Sequence, residues 1–431
     1  MPRLSPREIA ADLILRIDAG RLSTQDLFHS RDLAQLPDND RALAYELILG
    51  VVRWRLTLDW LIEKSSGRRL QNLSPALIAI LRISIFQLRF LTRVPEYAAV
   101  NEAVDLARHA GSKAAGFVNA VLRGYLRTKP QPPSGDGAAE QAIRTSHPVW
   151  LLRRWRSRFG VERTEEMALK NNEHSQRAVR WNVRRSSIPN SIRGKSTFRD
   201  CRTLRNCFYA ESLSDEFKEG EDYFRQDEAS QMAAFIPPAH PAPASAVDVC
   251  AAPGGKAFIT VERFPDTVTI LADSSVARLA STRERAGRLG LETLRYVACD
   301  AAVPQPFRRQ FDLVFVDAPC SGLGTIRRNP EIKWRVSESS LRRQQRRQKE
   351  ILDQSARQVS PGGHLVYTTC STEPEENEEV VTPFLERNHL FQLQPIRSPE
   401  LQPFVDDRIY STMDCYPDID GFFGFLMQRQ S

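Results

Sequence analysis

The chain has 431 residues, of which 41% are hydrophobic, 26% charged and 8% aromatic. This length favours about two or three domains, and this apolar fraction excludes a chain that is mainly disordered. The formal net charge is +7, and the excess is concentrated in residues 144–205, where sixteen basic and five acidic side chains give a local charge of +11. Such a segment indicates either a polyanionic partner or a solvated face of charged helices.

The seven cysteines form neither a Cys-x-x-Cys pair nor a Cys/His pattern, which argues against a bound metal. Their sparse spacing is typical of a protein from a reducing compartment. No apolar run near the N-terminus has the length of a secretory signal peptide. Residues 73–91 are the most apolar stretch, but they contain Arg82 and Arg89 and do not predict a membrane span. We therefore expect a cytoplasmic protein.

The N-terminal part of the chain predicts helices throughout. Apolar residues recur every three or four positions in residues 43–49, 58–62 and 77–81, which favours an all-α bundle over residues 1–127. Residues 129–137 are rich in Pro and Gly, and we assign residues 128–143 to a linker. Residues 144–222 then predict a basic, small α+β connecting domain.

From residue 223 onward, short apolar strands alternate with helical segments. Strands are predicted over residues 246–250, 267–272, 295–298, 311–316 and 363–368, with another within residues 421–427. This alternation predicts a Rossmann-like, mostly parallel sheet over residues 223–431. The functional side chains of such a sheet gather beyond the carboxyl ends of its strands.

A turn of small residues follows the first of these strands, in Val247-Asp-Val-Cys-Ala-Ala-Pro-Gly-Gly-Lys256. It lacks the GxGxxG spacing, but small residues let a ligand approach the backbone, and the next helix offers free N–H groups. Asp273 and Asp300 end the second and third strands, where carboxylates suit the ribose hydroxyls and the base of a nucleoside cofactor. The alternative is that both carboxylates only cap the helices that follow.

Two cysteines follow the fourth and fifth strands, in Asp317-Ala-Pro-Cys-Ser-Gly322 and Thr368-Thr-Cys-Ser371. A cysteine at this edge is a candidate nucleophile. A thiolate that adds to C6 of a cytosine makes C5 reactive towards a methyl donor. Asp317 beside N3 of the base would stabilise the charge that develops. On the residues alone, Cys320 and Cys370 are equally good nucleophiles. The other five cysteines are predicted to be small buried residues.

These motifs together resemble those of the RNA cytosine-C5 methyltransferase (NOL/NOP/Sun) family. Further segments match its pattern: Gln226-Asp-Glu-Ala-Ser-Gln231, Arg328-Asn-Pro-Glu-Ile-Lys-Trp334 and Asp420-Gly-Phe-Phe423. Residues 78–82, 94–101 and 116–123 resemble the NusB-like RNA-binding domain. That domain fused to this catalytic type is similar to the bacterial enzymes that methylate cytosine C5 in 16S ribosomal RNA.

The resemblance implies S-adenosylmethionine as cofactor and assigns roles to the motif residues. Cys370 is then the attacking thiolate and Cys320 assists proton removal and product release, with Asp317 and Lys256 as further catalytic residues. Lys256 is expected to orient the base or the Asp317 carboxylate, or else to be an ordinary solvated helix residue. Ala257 replaces the family's usual Thr, which puts one cofactor contact in doubt. The implied cofactor-binding residues are Cys250, Ala251, Ala252, Pro253, Gly254, Gly255, Lys256, Asp273, Arg278, Asp300 and Asp317.

The expected partner is ribosomal RNA of the small subunit, bound by a monomer. Phosphate contacts would supply most of the affinity. Trp150, Trp155 and Trp181 lie among arginines and either stack on bases or belong to the core. Transfer RNA or another RNA is an alternative substrate, and a non-catalytic RNA-binding assembly factor is an alternative function. RNA contacts are expected from four arginines, Arg184, Arg185, Arg327 and Arg328.

Overall fold

The computed structural model describes residues 5–109, 111–194, 198–210, 213 and 216–431. The chain forms two compact units, of which the first comprises Met1–Glu173 and Ile326–Arg335 and the second His174–Thr325 and Val336–Ser431. The first unit therefore runs past the predicted end of the helical domain at residue 127. It also takes in a short segment from the second half of the chain. The finer division at residues 127, 143 and 222 stays a prediction.

The first unit is built from helices, as its apolar period predicts. Residues 129–137 have no helix or strand, in agreement with their Pro and Gly content. The apolar faces of the helices between residues 6 and 128 share one core. Numbered along the chain, the helices of residues 5–173 are α1 (Pro6–Asp18), α2 (Arg31–Ala34), α3 (Asp38–Arg53), α4 (Arg55–Ser66), α5 (Pro75–Phe90), α6 (Glu96–Arg108), α7 (Ser112–Thr128), α8 (Ala138–Thr145), α9 (Val149–Phe159) and α10 (Val161–Lys170).

Arg82 explains why a charge interrupts the most apolar stretch of the sequence. It lies inside α5, and its guanidinium is buried. Nε is 2.6 Å from the Asp59 carboxylate of α4, and Nη1 is 2.6 Å from the Asp18 carboxylate at the end of α1. A buried charge is tolerated when it is paired in this way, so Arg82 ties three helices together. Within the described ranges, no helix is long and apolar enough to cross a bilayer.

The second unit contains a small antiparallel sheet in the basic region. Its strands are β1 (Ala178–Trp181), β2 (Arg199–Asp200), β3 (Cys207–Tyr209) and β4 (Tyr223–Arg225), in the order β2-β3-β1-β4, with the short helix α11 (Asn190–Arg193) between β1 and β2. This agrees with the predicted α+β character. Cys201 and Cys207 are buried as predicted, but they are joined by a disulfide that the sequence analysis did not predict, with their Cα atoms 5.4 Å apart. Cys250, Cys299 and Cys415 are only partly buried, so the prediction of buried residues is wrong for these three.

A nine-stranded mixed sheet dominates the second unit and confirms the predicted Rossmann-like class. The strands are β5 (Ser245–Asp248), β6 (Val268–Asp273), β7 (Arg295–Ala298), β8 (Phe311–Asp317), β9 (Val359–Thr369), β10 (Phe391–Leu393), β11 (Val405–Asp406), β12 (Ile409–Ser411) and β13 (Phe423–Arg429). Their order in the sheet is β11-β12-β13-β9-β8-β5-β6-β7, and β10 pairs with β13. Strands β7, β6, β5, β8 and β9 are parallel, and β13 runs antiparallel to β9.

Helices lie between β5 and β6, between β6 and β7 and between β8 and β9, as is usual for parallel strands, whereas β7 and β8 are joined without a helix. Five of the remaining helices belong to the second unit. The four-residue helix α15 lies in the segment Ile326–Arg335, which belongs to the first unit. The remaining helices are α12 (Glu228–Ala233), α13 (Gly255–Arg263), α14 (Val276–Arg288), α15 (Ile332–Arg335), α16 (Glu338–Ala356) and α17 (Glu378–Arg387).

The segment Ile326–Arg335 is anchored in the helical unit by buried polar contacts. Lys333 is fully buried, and its Nζ donates to the Arg53 carbonyl and to Asn172 Oδ1, both at 2.9 Å. The Glu331 carboxylate accepts from the backbone N and the hydroxyl of Thr24 at 3.0 and 2.7 Å. A motif that the sequence assigns to the catalytic half thus folds with the first 173 residues.

The close packing of α3 against α5 at Gly50 gives a stability prediction. A Cβ at Gly50 would lie 2.0 Å from the ring of Phe86, which is buried. We expect Gly50→Ala to lower the free energy of unfolding by about 1–3 kcal/mol, because the ring must shift in a packed core. Gly116→Ala in α7 is the control, since nothing lies within 4 Å of its Cβ. It should be neutral or stabilising by up to about 1 kcal/mol. Thermal melts of both variants check this, and equal melting temperatures would contradict it.

Candidate active site

The carboxyl ends of the parallel strands border a cavity of about 330 Å³. It brings together most of the residues that the sequence predicts for the site. The predicted residues among its lining are Cys250, Ala252, Lys256, Asp273, Arg278, Asp300, Asp317, Cys320 and Cys370. Those outside the lining are Ala251, Pro253, Gly254 and Gly255. Lining residues that the sequence did not single out are Val249, Ser274, Ala301, Ala318, Pro319, Arg347 and Ile351.

The two glycines of the turn are required by packing within the protein. Gly254 has φ +98°, and a Cβ there would lie 2.4 Å from the ring of Phe258. A Cβ at Gly255, the first residue of α13, would lie 2.9 Å from the side chain of Gln226. The two glycines let the start of α13 pack closely against the Phe258 ring, Thr282 of the next helix and the Gln226 side chain. That these small residues also let a ligand approach the backbone stays a prediction.

Asp273 is the last residue of β6, Asp300 follows the end of β7 by two residues, and each carboxylate pairs with an arginine. Asp273 Oδ1 accepts from Ser275 N at 2.9 Å and is 2.7 Å from Arg278 Nη2. Asp300 Oδ1 is 2.9 Å from Nη2 of Arg347 on α16. The N-cap of α14 is Ser275, so Asp273 is not the cap of that helix. Both carboxylates face the cavity, where they can accept hydrogen bonds from a nucleoside.

Lys256 and Asp317 form an ion pair at the centre of the site. Lys256 Nζ is 2.6 Å from Asp317 Oδ2, and Thr368 donates to Asp317 Oδ1 at 3.1 Å. Lys256 Nζ also lies 5.0 Å from the centre of the Phe422 ring. Its side chain is only 8% exposed, so the interpretation of Lys256 as a solvated helix residue is wrong. The pair places a cation and a carboxylate beside the two thiols.

The two candidate cysteines lie in direct contact. Their Sγ atoms are 3.2 Å apart, and both border the cavity. The hydrogen bond with Cys370 and burial raise the pKa of Cys320 well above its usual range. Cys320 therefore stays a thiol at neutral pH, and either sulfur can be the donor in the hydrogen bond between them. This contact between the two thiols was not indicated by the sequence.

A buried carboxylate that the sequence analysis missed connects the two cysteine loops. Glu376 accepts from Ser321 N at 2.8 Å, from the Ser321 hydroxyl and from Gln348 Nε2 at 3.1 Å. The sequence gives little reason to single out Glu376, because it is one of three glutamates in the run Glu373-Pro-Glu-Glu-Asn377. Only the tertiary structure distinguishes Glu376 from its neighbours, because its partners lie 28 and 55 residues away.

The residues predicted to contact RNA are distributed over both units. Arg184 and Arg185 are exposed in the second unit, where Arg185 pairs with Glu221 at 2.8 Å. In the first unit, Arg327 and Arg328 are partly buried. Trp155 and Trp181 are each 1% exposed and belong to the core. The interpretation that these two residues stack on bases is therefore wrong. Among the described residues, no group of three or more His, Cys, Asp or Glu could hold a metal ion.

Comparison with known proteins identifies the family. Residues 240–428 match the model described as 16S rRNA methyltransferase RsmB/F, and residues 4–127 match the NusB family. The ribosomal RNA small subunit methyltransferase B of Vibrio cholerae is 33% identical over 84% of this chain and 86% of its own length. The chain belongs to the RsmB/F methyltransferase family. A probable ribosomal RNA small subunit methyltransferase B from Synechocystis is 32% identical over 97% of this chain and 98% of its own length.

Solved structures support the fold of this RsmB/F methyltransferase. The crystal structure of PH0851 superimposes with a TM-score of 0.81 at 24% identity, covering 99% of both chains. A methyltransferase homolog protein from Pyrococcus horikoshii gives 0.56 at 23% identity, covering 68% of this chain and 99% of its own. Family membership and the Rossmann-like fold identify S-adenosylmethionine as the cofactor. The strand-end carboxylates and the cavity fit such a group, since they offer acceptors for a ribose and a base.

Asp248, at the end of β5, is a further buried carboxyl group of the site. Burial and the neighbouring Asp317 carboxylate raise the pKa of Asp248 from 3.8 to about 8. Its Oδ1 accepts from Cys250 N at 3.1 Å, which holds the start of the turn. Between these two pKa values the folded state binds one proton more than the unfolded state. Asp248 therefore lowers the stability progressively as the pH rises from about 4 to 8, and by a constant amount above that.

Asp248→Asn should remove this pH dependence. The amide does not ionise, and its oxygen can still accept from Cys250 N. We expect the variant to gain thermal stability over the parent protein as the pH rises from 5 to 8, with little difference at pH 5. Melting curves of both proteins across this range check the prediction. A difference in melting temperature that does not change with pH would contradict it.

Proposed function

We propose that this RsmB/F-family protein transfers a methyl group to C5 of a cytosine in 16S ribosomal RNA. The observation that carries the proposal is the contact between the Cys320 and Cys370 thiols, 3.2 Å apart at the edge of the cavity that Asp273 and Asp300 also border. A nucleoside pocket beside a pair of thiols suits a reaction that passes through a covalent bond to a pyrimidine. S-adenosylmethionine supplies an electrophilic methyl group when it is bound.

The cofactor would be held by residues of three strand ends. Asp273 would accept from the ribose hydroxyls, and Asp300 would lie on the side of the base. Arg278 and Arg347 hold these two carboxylates through ion pairs of 2.7 and 2.9 Å. The turn between β5 and α13, together with Asp317, would complete the pocket. The residues of that turn that we assign to the cofactor are Cys250, Ala251, Ala252, Pro253, Gly254, Gly255 and Lys256.

Cys370 is the nucleophile in this proposal. The contact with Cys370 and burial raise the pKa of Cys320, so Cys320 would remain a thiol and its S–H would donate to the sulfur of the Cys370 nucleophile. The Cys370 thiolate adds to C6 of the cytosine, which breaks the C5–C6 π bond and leaves C5 as the nucleophilic carbon of an enamine that takes the methyl group. Asp317 would hold N3 of the base, where charge develops during this addition. Lys256, 2.6 Å from Asp317, would orient that carboxylate.

Product release needs a second group. Once C5 carries the methyl group, the proton on C5 must leave. The electron pair of that C–H bond restores the C5–C6 double bond, and the bond between C6 and the Cys370 sulfur breaks to give back the thiolate. Cys320 lies beside this sulfur and would assist the proton removal: after giving its own proton to solvent, its thiolate accepts the C5 proton and becomes the thiol again. Two thiols with different tasks explain why both cysteines lie at the same edge.

The RNA would approach with the target cytosine out of the helical stack, because C6 is not accessible in a paired stack. Arg184, Arg185, Arg327 and Arg328 are proposed phosphate contacts, and binding should weaken steeply with salt. The names of the Vibrio and Synechocystis relatives support the small-subunit RNA as substrate. We further propose that the protein acts as a monomer in the cytoplasm.

The test is incubation with labelled S-adenosylmethionine and purified 16S ribosomal RNA, followed by mapping of 5-methylcytidine. Transfer RNA serves as the competing substrate. We expect label in one or a few cytidines of the 16S RNA. Label only in transfer RNA would overturn the substrate assignment. RNA binding without any label would indicate an assembly factor.

Cysteine variants separate the two proposed roles. Cys370→Ala should abolish methyl transfer, because no bond to C6 can form. Cys320→Ala should still attack but release slowly, so a covalent enzyme–RNA adduct should accumulate. Gel electrophoresis under denaturing conditions detects the adduct, and Cys415→Ala is a control at a free cysteine outside the cavity lining. A Cys370→Ala enzyme with normal turnover would overturn the assignment.

A further inference from the structure

We infer that Glu376 is a positioning residue that holds Cys320 against Cys370. The inference rests on the proposed function, because it assigns Glu376 a task in the release step of that reaction. Glu376 follows Cys370 by six residues in the chain, in the 3₁₀ turn Pro374–Glu376 that precedes α17. Its carboxylate binds the residue that directly follows Cys320. One side chain thus connects the two loops that carry the thiols.

Hydrogen bonds hold Ser321 at both its backbone and its side chain. Ser321 N donates to Glu376 Oε1 at 2.8 Å, and the Ser321 hydroxyl donates to Oε2. The same hydroxyl lies 3.3 Å from the hydroxyl of Ser371, the residue after Cys370. Because both oxygens of the carboxylate are used by one residue, the backbone next to Cys320 has little freedom to turn.

Gln348 of α16 holds the other side of Cys320. Its Nε2 donates to the Pro319 carbonyl at 2.9 Å and to Glu376 Oε1 at 3.1 Å. Both residues that flank Cys320 are therefore connected to Glu376, Ser321 directly and Pro319 through Gln348. The position of the Cys320 thiol follows from the position of this carboxylate.

The burial of Glu376 argues that position, rather than stability, is what this carboxylate provides. The side chain is fully buried, and Ser321 and Gln348 offer it only neutral donors. A buried carboxylate held by neutral donors costs desolvation free energy, and well-packed apolar residues often give equal or better stability. Glu376 is also absent from the lining of the cofactor cavity. Its carboxylate instead accepts hydrogen bonds from Ser321, in the loop that carries Cys320.

Glu376→Gln changes this arrangement with almost no change in volume. Glutamine offers one acceptor oxygen and an NH₂ group. The oxygen can still accept from Ser321 N and Gln348 Nε2, but the NH₂ group then faces the Ser321 hydroxyl, which can no longer donate there. The negative charge is also lost, which weakens the remaining hydrogen bonds, and the loop around Cys320 gains freedom. Glu379→Gln is the matched control, because Glu379 is an exposed carboxylate three residues further on that accepts from Gln345.

The first measurement needs neither RNA nor cofactor. The oxidant diamide takes two electrons and two protons from a pair of thiols and leaves a disulfide. Peptide mass mapping then gives the rate at which Cys320 and Cys370 become joined in the full-length protein. We expect this rate to fall by about tenfold or more in Glu376→Gln, since misplacing two reacting groups costs at least this much. Glu379→Gln should match the parent protein.

The second measurement follows the reaction. Glu376→Gln should lower kcat by about tenfold or more, leave KM for S-adenosylmethionine unchanged and accumulate the covalent enzyme–RNA adduct, as a misplaced Cys320 slows release. Ser321→Ala removes one of the three hydrogen bonds and should shift both readouts less, in the same direction. This milder variant also serves if Glu376→Gln fails to fold.

The outcomes distinguish the inference from the proposed function. An unchanged rate of disulfide formation in folded Glu376→Gln overturns the positioning role, whatever the activity. A slower rate in a protein that methylates no cytosine supports the positioning role and overturns the proposed function. A loss of kcat without adduct in Glu376→Gln, when Cys320→Ala does form adduct, also overturns the inference.

Discussion

The parallel pairing of β8 with β9 brings together two loops that lie fifty residues apart in the chain. Asp317 pairs with Thr368 at the carboxyl ends of these strands, so Cys320 and Cys370 emerge beside each other. A shift of one residue in this register would turn every side chain to the opposite face. The loop backbones are close as well. Gly324 N donates to the Cys370 carbonyl at 3.0 Å, and the contact between thiols depends on this approach.

Charge compensation governs the rest of the site. Each of three strand-end carboxylates has a cation of its own, and the pairs are Asp317–Lys256, Asp273–Arg278 and Asp300–Arg347. The fourth carboxyl, that of Asp248, has a pKa raised by burial and so stays neutral up to about pH 8. The three acids that line the cavity and the buried Asp248 can therefore lie near one another without strong mutual repulsion. The cations also hold the carboxylates in place before a ligand arrives, which lowers the cost of binding.

Local patterns made much of the fold and the site predictable. The six predicted strands and the two cysteines at strand ends need only apolar periodicity and short motifs. Contacts between distant residues were not predictable in this way. The sequence left Lys256 as either a residue that orients the base or the Asp317 carboxylate or a solvated helix residue, and it left Trp155 as either a base-stacking or a core residue. The ion pair with Asp317 and the burial of Trp155 decide the two cases. Glu376 and Gln348 matter because the two cysteine loops and α16 meet there, and neither residue can be recognised from the local sequence. Residues 326–335 likewise belong to the helical unit because their side chains bind residues that lie hundreds of positions away in the chain.

The central claim is that Cys370, and not Cys320, forms the bond to cytosine. A 16S ribosomal RNA fragment that carries 5-fluorocytidine tests it directly, because fluorine at C5 cannot leave as the proton does, and the adduct persists after methyl transfer. Incubation with S-adenosylmethionine, digestion and mass spectrometry then identify the modified peptide. The account predicts that the nucleotide is attached to the sulfur of Cys370. Attachment to Cys320, or a methylated product without any adduct, would contradict it.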